Sequence, residues 1–181
     1  MGKKLKVAII IGSRNDLAQC LDGLKYLKGD PNLKVVGVYI RSQHRNTLET
    51  QALLKKLVEM KVDIIITAAG WANHLTGCVD AFLRYTLKDK RIVVLGVAIE
   101  DLNSKRHTEA AVLSITEVPG TQVVFREGDS KLTGQNAIFI GRQGFLRACM
   151  LAAEGDFKKI ELPEAKPPMD LTLDAAIKMA E

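Results

Sequence analysis

No stretch of the 181 residues holds the roughly 20 consecutive apolar side chains that a membrane-spanning helix needs, so a membrane partner is not expected. Cysteine is scarce: Cys20, Cys78 and Cys149 are odd in number, far apart and outside any CxxC pair. That disfavours a disulfide framework and a cysteine-based zinc site, and makes a reducing cytoplasm the expected setting. Aromatic residues are few, with five Phe, three Tyr and one Trp. With so few rings to stack on bases, the chain lacks the interleaved basic and aromatic stripe of a nucleic-acid site. Internal repeats and low-complexity segments are missing too. A content of 47% hydrophobic and 26% charged residues is ordinary for a globular chain and excludes disorder and fibrous folds. The opening MGKKLKVAIIIGS has the charges of a signal peptide, but its apolar stretch of about five residues reads straight on into a strand, so export is not expected.

Charge is the first thing present. Twenty-six Lys and Arg against 21 Asp and Glu give a net +5. From residue 155 onward there are four basic and six acidic residues, a balance of −2, so the first 154 residues carry +7. Lysines scattered in this way fit plain solvation, or a small anionic ligand, better than a polyanion.

Apolar runs bounded by turn residues alternate with stretches of helical period. Residues 5–11 (LKVAIII) form a nearly continuous β-branched run, the pattern of a strand buried on both faces. Strands are likewise expected at 35–40, 62–67 (VDIIIT), 92–97 (IVVLGV) and 122–126. Leucines at 17, 21, 24 and 27 predict a helix over 17–28, and apolar residues at 53, 54, 57, 58 and 60 predict one over 47–60. Helices are also expected over 78–87, near 109–115 and from about 135 to 153. Pro163, Pro167 and Pro168 mark a linker before a terminal helix over 171–180. The alternating order requires crossovers, and therefore a parallel sheet with helices on both faces. The expected organisation is a sheet domain over residues 1–154, then a linker and C-terminal helix over 155–181 available for oligomer contacts.

Ligands of such sheets bind beyond the carboxyl ends of the strands, which singles out the loops after the first three. The first loop, Gly12-Ser13-Arg14-Asn15-Asp16, sets a sharp turn, a hydroxyl and an amide beside a helix start, an anion site by geometry and dipole. Ser13-x-x-Asp16 reads equally as a capping box. Neither GxGxxG nor GxxxxGK[ST] is present. The second loop, Arg41-Ser42-Gln43-His44-Arg45-Asn46, puts a hydroxyl and guanidinium groups just before a helix, which suits phosphate. His44 among them can move a proton near neutral pH, while an exposed polar loop is the plainer alternative. In the third loop, Ala68-Ala69-Gly70-Trp71-Ala72-Asn73-His74-Leu75, small residues admit a ligand close to the backbone, and His74 faces the same edge. Trp71 and Leu75 could wall a pocket, with Trp71 equally suited to packing or a subunit contact. His107, in the polar stretch NSKRHTE, reads as solvated. Two separated histidines without a clustered carboxylate make no metal-ligand pattern.

Together the three loops resemble the PurE family, the N5-carboxyaminoimidazole ribonucleotide mutases and aminoimidazole ribonucleotide carboxylases of purine biosynthesis. The family's GSxSD is matched by Gly12 to Asp16, its SAHR(T)P by Ser42-Gln43-His44-Arg45-Asn46-Thr47, and its AGxGGAAHLPG by Ala69-Gly70-Trp71-Ala72-Asn73-His74-Leu75-Thr76-Gly77. The similarity continues through Val94-Leu95-Gly96-Val97, Leu113-Ser114-Ile115 with Pro119, and Asn136-Ala137, which would open the last large helix. It spans about residues 5–153. The resemblance implies a three-layer αβα sandwich around a flavodoxin-like parallel sheet, with a C-terminal helix extension. It implies that Ser13, Ser42 and Arg45 hold the ribonucleotide phosphate and that Asp16 bonds the ribose hydroxyls. His44 would be the acid/base, with His74 as the second catalytic candidate, and Ala69, Gly70 and Leu75 would line the pocket for base and carboxylate. The implied partners are a ribonucleotide and CO2, with no organic cofactor or metal, in a homo-octamer.

Some positions depart from the pattern. Asn15 stands where the family has its second serine, and Trp71 and Asn73 replace small residues, which places these three at the pocket lip. Arg45 and His74 match the mutase branch and Asn73 the CO2-dependent carboxylase branch, so both reactions remain open. A non-catalytic ribonucleotide-binding paralogue is a third reading, motivated by Trp71 and Asn15. A flavin-binding or receiver module on the same sheet fits less well, because the first loop is not Thr-rich and no paired acids follow the first strand.

Overall fold

The computed structural model describes residues 4–118, 120, 123, 139–157 and 164–180. Four strands, β1 (Leu5–Ile11), β2 (Leu33–Ile40), β3 (Ile64–Ala69) and β4 (Val93–Ala98), form one parallel sheet in the order β2-β1-β3-β4. β3 and β4 are buried at every residue and β1 at five of seven, as their unbroken apolar runs require. β2 is different. It lies at the edge, with Val35 37% and Val38 43% exposed, and its register against β1 slips between Val7 and Ala8. Four of the five expected strands are found, with β2 starting two residues earlier, β3 two residues later and β4 one residue later than expected.

Five helices flank the sheet, α1 (Leu17–Gly29), α2 (Thr47–Glu59), α3 (His74–Ala81), α4 (Lys105–Thr116) and α5 (Gly141–Glu154), and an exposed sixth, α6 (Leu173–Ala180), follows them. α1 and α5 pack on each other, with α5 against β3 and β4, whereas α3 packs on those strands and meets α2 and α4, with α4 also against β4. The α1–α5 approach depends on a missing side chain, since a Cβ at Gly23 would lie 2.5 Å from Phe145 Cδ1. The result is the three-layer αβα sandwich with a C-terminal helix, and among the described residues no helix is long and apolar enough to cross a membrane.

Several expected helix starts move: α4 begins at Lys105 rather than near 109, α6 at Leu173 rather than 171, and two others differ for visible reasons. The helix predicted over 78–87 is α3, beginning at His74, followed by a π-helical turn at Phe82–Thr86. It starts early because Asn73 caps it, accepting from the Thr76 N–H at 3.1 Å. The helix predicted from about 135 begins at Gly141. Phe139 and Ile140 continue along β4 instead: the Ala98 N–H donates to Phe139 O at 2.9 Å, Ile140 bridges to Ala98, and Gly141 turns the chain at φ +62°. Asn136 and Ala137, and all of the predicted strand 122–126 except the buried Val123, lie outside the described residues.

Candidate active site

The loops following β1, β2 and β3 meet in one cleft of about 500 Å³, within the range of small-molecule sites. Its lining includes Ser13, Asn15, Asp16, Ser42, His44, Arg45, Ala69, Gly70, Trp71, His74 and Leu75, and adds Gly12, Gln43 and Ala72. Every sequence-predicted site residue except Asn73 is therefore brought together. Each loop arrives for a local reason. Gly12 lets the first loop cross the third, because a Cβ there would lie 2.7 Å from Ala69 Cβ. The Gly12 N–H donates to Ala68 O at 2.8 Å, tying the two loops at their roots. The second loop folds on itself, with the Arg45 and Asn46 N–H groups donating to Ser42 O at 3.1 and 2.7 Å, and the Ser42 N–H donating to Asn46 Oδ1 at 3.2 Å. That tight turn leaves His44 and Arg45 exposed at the rim. α2 and α3 both begin at the cleft, so two helix N-termini favour an anion there.

In the first loop the capping contacts are present, and the same residues line the cleft. Ser13 Oγ accepts from the Asn15 N–H at 3.3 Å, and the Ser13 N–H stands beside the Asp16 carboxylate. Burial nevertheless raises Asp16 from 3.8 to about 6, with the Ser13 N–H only partly offsetting it. A carboxyl held neutral to higher pH in the folded chain favours folding most below about pH 4, and that contribution is lost as pH rises through about 6. Asp16→Asn is therefore expected to gain stability relative to wild type between about pH 4.5 and about pH 7, read from urea midpoints. An unchanged difference at the two pH values would show that Asp16 is not desolvated.

Asn73 is corrected. Far from forming the pocket lip, it is fully buried: its Nδ2 donates to Val97 O at 3.0 Å and its Oδ1 accepts from the Thr76 hydroxyl at 2.9 Å. The Thr76 hydroxyl lies 2.9 Å from that of Thr67, which donates to Leu95 O at 3.2 Å. This chain of buried polar groups fixes the start of α3 to β3 and β4, and so sets His74 and Leu75 at the cleft. The Asn-x-x-Thr spacing before an apolar run was the available signal for a cap. Arg41 is drawn back as well, its Nη1 donating to Ile40 O at 2.8 Å, and does not line the cleft.

His107 is also not simply solvated. It is half-buried in the first turn of α4, where its ring stacks on Trp71 with centroids 4.0 Å apart and planes inclined at 22°. Its Nδ1–H donates to Asp101 Oδ2 at 2.7 Å, and this imidazole is the main group holding the Asp101 carboxyl below its ordinary range. Trp71 itself has φ +56°, a left-handed conformation costing a bulky residue about 1–3 kcal/mol. Among the described residues no group of three or more His, Cys, Asp or Glu could hold a metal ion.

A family model described as AIR carboxylase matches residues 6–139 of the chain. Comparison with curated proteins finds no match. Among solved structures, Treponema denticola PurE is similar with a TM-score of 0.54 and 19% identity, over 83% of this chain and 79% of that one. A single-site variant of Treponema denticola PurE2 is similar with a TM-score of 0.55 and 18% identity, over the same shares. At these identities the structural likeness concerns the fold.

Proposed function

The chain belongs to the AIR carboxylase family, a family of carboxyl-transfer enzymes of purine biosynthesis, and on that footing we propose that it converts N5-carboxyaminoimidazole ribonucleotide to 4-carboxy-5-aminoimidazole ribonucleotide in the cytoplasm. The observation that carries this reading is the convergence of the three loops, with His44 and Arg45 beside Ser13, Ser42 and Asp16, on one cleft at the carboxyl edge of the sheet. Ser13, Ser42 and Arg45, with the N-terminus of α2, take the phosphate, and Asp16 accepts from the ribose hydroxyls. His44 first donates a proton to the exocyclic nitrogen as its carbamate leaves as CO2. After CO2 bonds to the ring carbon, His44 takes back the proton that carbon loses, so the proton count closes. Ala69, Gly70 and Leu75 wall the space in which CO2 is held away from water.

The test is incubation with N5-carboxyaminoimidazole ribonucleotide in one arm and aminoimidazole ribonucleotide with bicarbonate in the other, following the 4-carboxy product. Product in the first arm supports the mutase. Product only in the second makes the enzyme a CO2-dependent carboxylase, the reading favoured by the Asn73 motif. Tight binding with no product in either arm leaves a ribonucleotide-binding protein.

The same reading includes a homo-oligomer, an octamer, with the segment from residue 155 onward seated on a neighbouring copy. Supporting it, residues 164–180 are exposed throughout, including Leu173 at 76% and Ile177 at 50%. Light scattering is expected to show an oligomer that removal of residues 164–181 dissociates, and a monomeric full chain would overturn this.

A further inference from the structure

Trp71 is the sole tryptophan of the chain, and its setting is not that of a packing residue. It is 66% exposed, it borders the cleft, and it occupies a backbone conformation that disfavours any large side chain. Strain retained at a site is motive to look for a role there. One face of the indole is closed by His107, which Asp101 fixes through Nδ1. Asp101 is itself held in place, since its other carboxylate oxygen accepts from the Asn103 N–H at 2.9 Å and its own N–H donates to Thr108 Oγ1 at 2.9 Å. The ring is thus braced on the face that His107 covers, and Trp71 itself lines the cleft.

We propose that Trp71 is an aromatic platform on which the planar ring of the bound nucleotide stacks, with His107 and Asp101 as positioning residues that brace it from behind. This deepens, and rests on, the reading of the cleft as a ribonucleotide site. Stacking on an indole rewards any flat heteroaromatic ring, because every base has a π-face. The platform therefore supplies affinity for the ring, and the choice among rings falls to the polar groups of the three loops. Bracing matters because a lone exposed indole would have to be ordered at each binding event, whereas a stacked one is already in place.

A sole tryptophan makes the test direct, since protein emission excited at long wavelength comes from Trp71 alone. Wild type is titrated with 4-carboxy-5-aminoimidazole ribonucleotide, AMP and ribose 5-phosphate, by fluorescence and calorimetry. The two base-bearing ligands are expected to change the emission and ribose 5-phosphate to leave it nearly unaltered. Trp71→Gly, which suits the left-handed backbone and removes only the ring, is expected to weaken the imidazole ribonucleotide about tenfold and ribose 5-phosphate by less than about twofold, with Trp71→Phe recovering most of the loss. Without any ligand, His107→Ala is expected to shift the emission to longer wavelength and weaken the nucleotide roughly threefold, whereas His107→Phe retains both. Equal nucleotide affinity in wild type and Trp71→Gly would overturn the platform while leaving the ribonucleotide site standing. Wild type that binds neither nucleotide nor ribose 5-phosphate would sink both readings, even if the His107 arm behaved as expected. A ligand-free emission that moves to shorter wavelength as protein concentration rises would show the indole covered by a second copy, and would also overturn it.

Discussion

Replacing His44 by asparagine is expected to lower kcat by about 10²–10⁴-fold while changing nucleotide affinity by less than about threefold. Asparagine keeps a polar group of similar reach but cannot gain or release a proton near neutral pH. Under the proposed reading the phosphate falls to other residues of the cleft, Ser13, Ser42 and Arg45, so binding should survive. A loss in kcat and kcat/KM together, with affinity kept, is the signature of an interaction made only as the proton moves. The companion variant His74→Asn separates the two histidines, both of which line the cleft. If His44→Asn retains full kcat and His74→Asn does not, the proton passes through His74. If neither loses activity, the acid/base assignment is wrong, whatever the fold.

The second large effect is on stability. Arg84, fully buried in the π-helical turn after α3, donates from Nη1 to Asp89 O at 2.9 Å and from Nη2 to Ile92 O at 2.7 Å, and its Nε lies 3.1 Å from Asp80 Oδ1. Burial weakens its hold on its proton, and Asp80 and Asp89 work against that loss. Arg84→Met would take the guanidinium away from the buried Asp80 and leave Asp89 O and Ile92 O without this donor. It is expected to cost about 3–5 kcal/mol, a fall on the order of 10 °C in Tm. Replacing the other member of the buried pair as well, in Arg84→Met with Asp80→Asn, should recover part of that loss. A single variant within about 1 kcal/mol of wild type would show that the guanidinium is hydrated and the pair dispensable.

Much of the site was legible because it is written in local clusters. Ser42, His44 and Arg45 fall within one short loop, and a parallel sheet leaves little choice about where the loops after β1, β2 and β3 go. Asn73 misled because its position in a matched motif says nothing about orientation. Its side chain turns inward to Val97 O, a partner 24 residues on that exists only once α3 docks against β4. The Trp71–His107 stack spans a similar gap, 36 positions, and local polarity made His107 look solvated. Arg84 escaped notice for the same reason: an arginine on a helical stretch reads as surface until the chain from Asp89 to Ile92 closes over it. Chemistry that depends on neighbours in sequence could be read in advance, and chemistry that depends on docking could not.

The edge position of β2 has a consequence for how such a cleft can diverge. The floor, made by the ends of β1 and β3, is continuous with the buried sheet, so a substitution there disturbs packing on both faces. The arm carrying His44 and Arg45 hangs from a strand that, among the described residues, is paired on one side only and is half open to solvent. Replacing the exposed His44 or Arg45 therefore costs the folded state little, whereas a side chain at Gly12 would crowd Ala69. Under the proposed reading, the group that moves the proton then sits on the most replaceable part of the cleft, and the walls around the ring on the least.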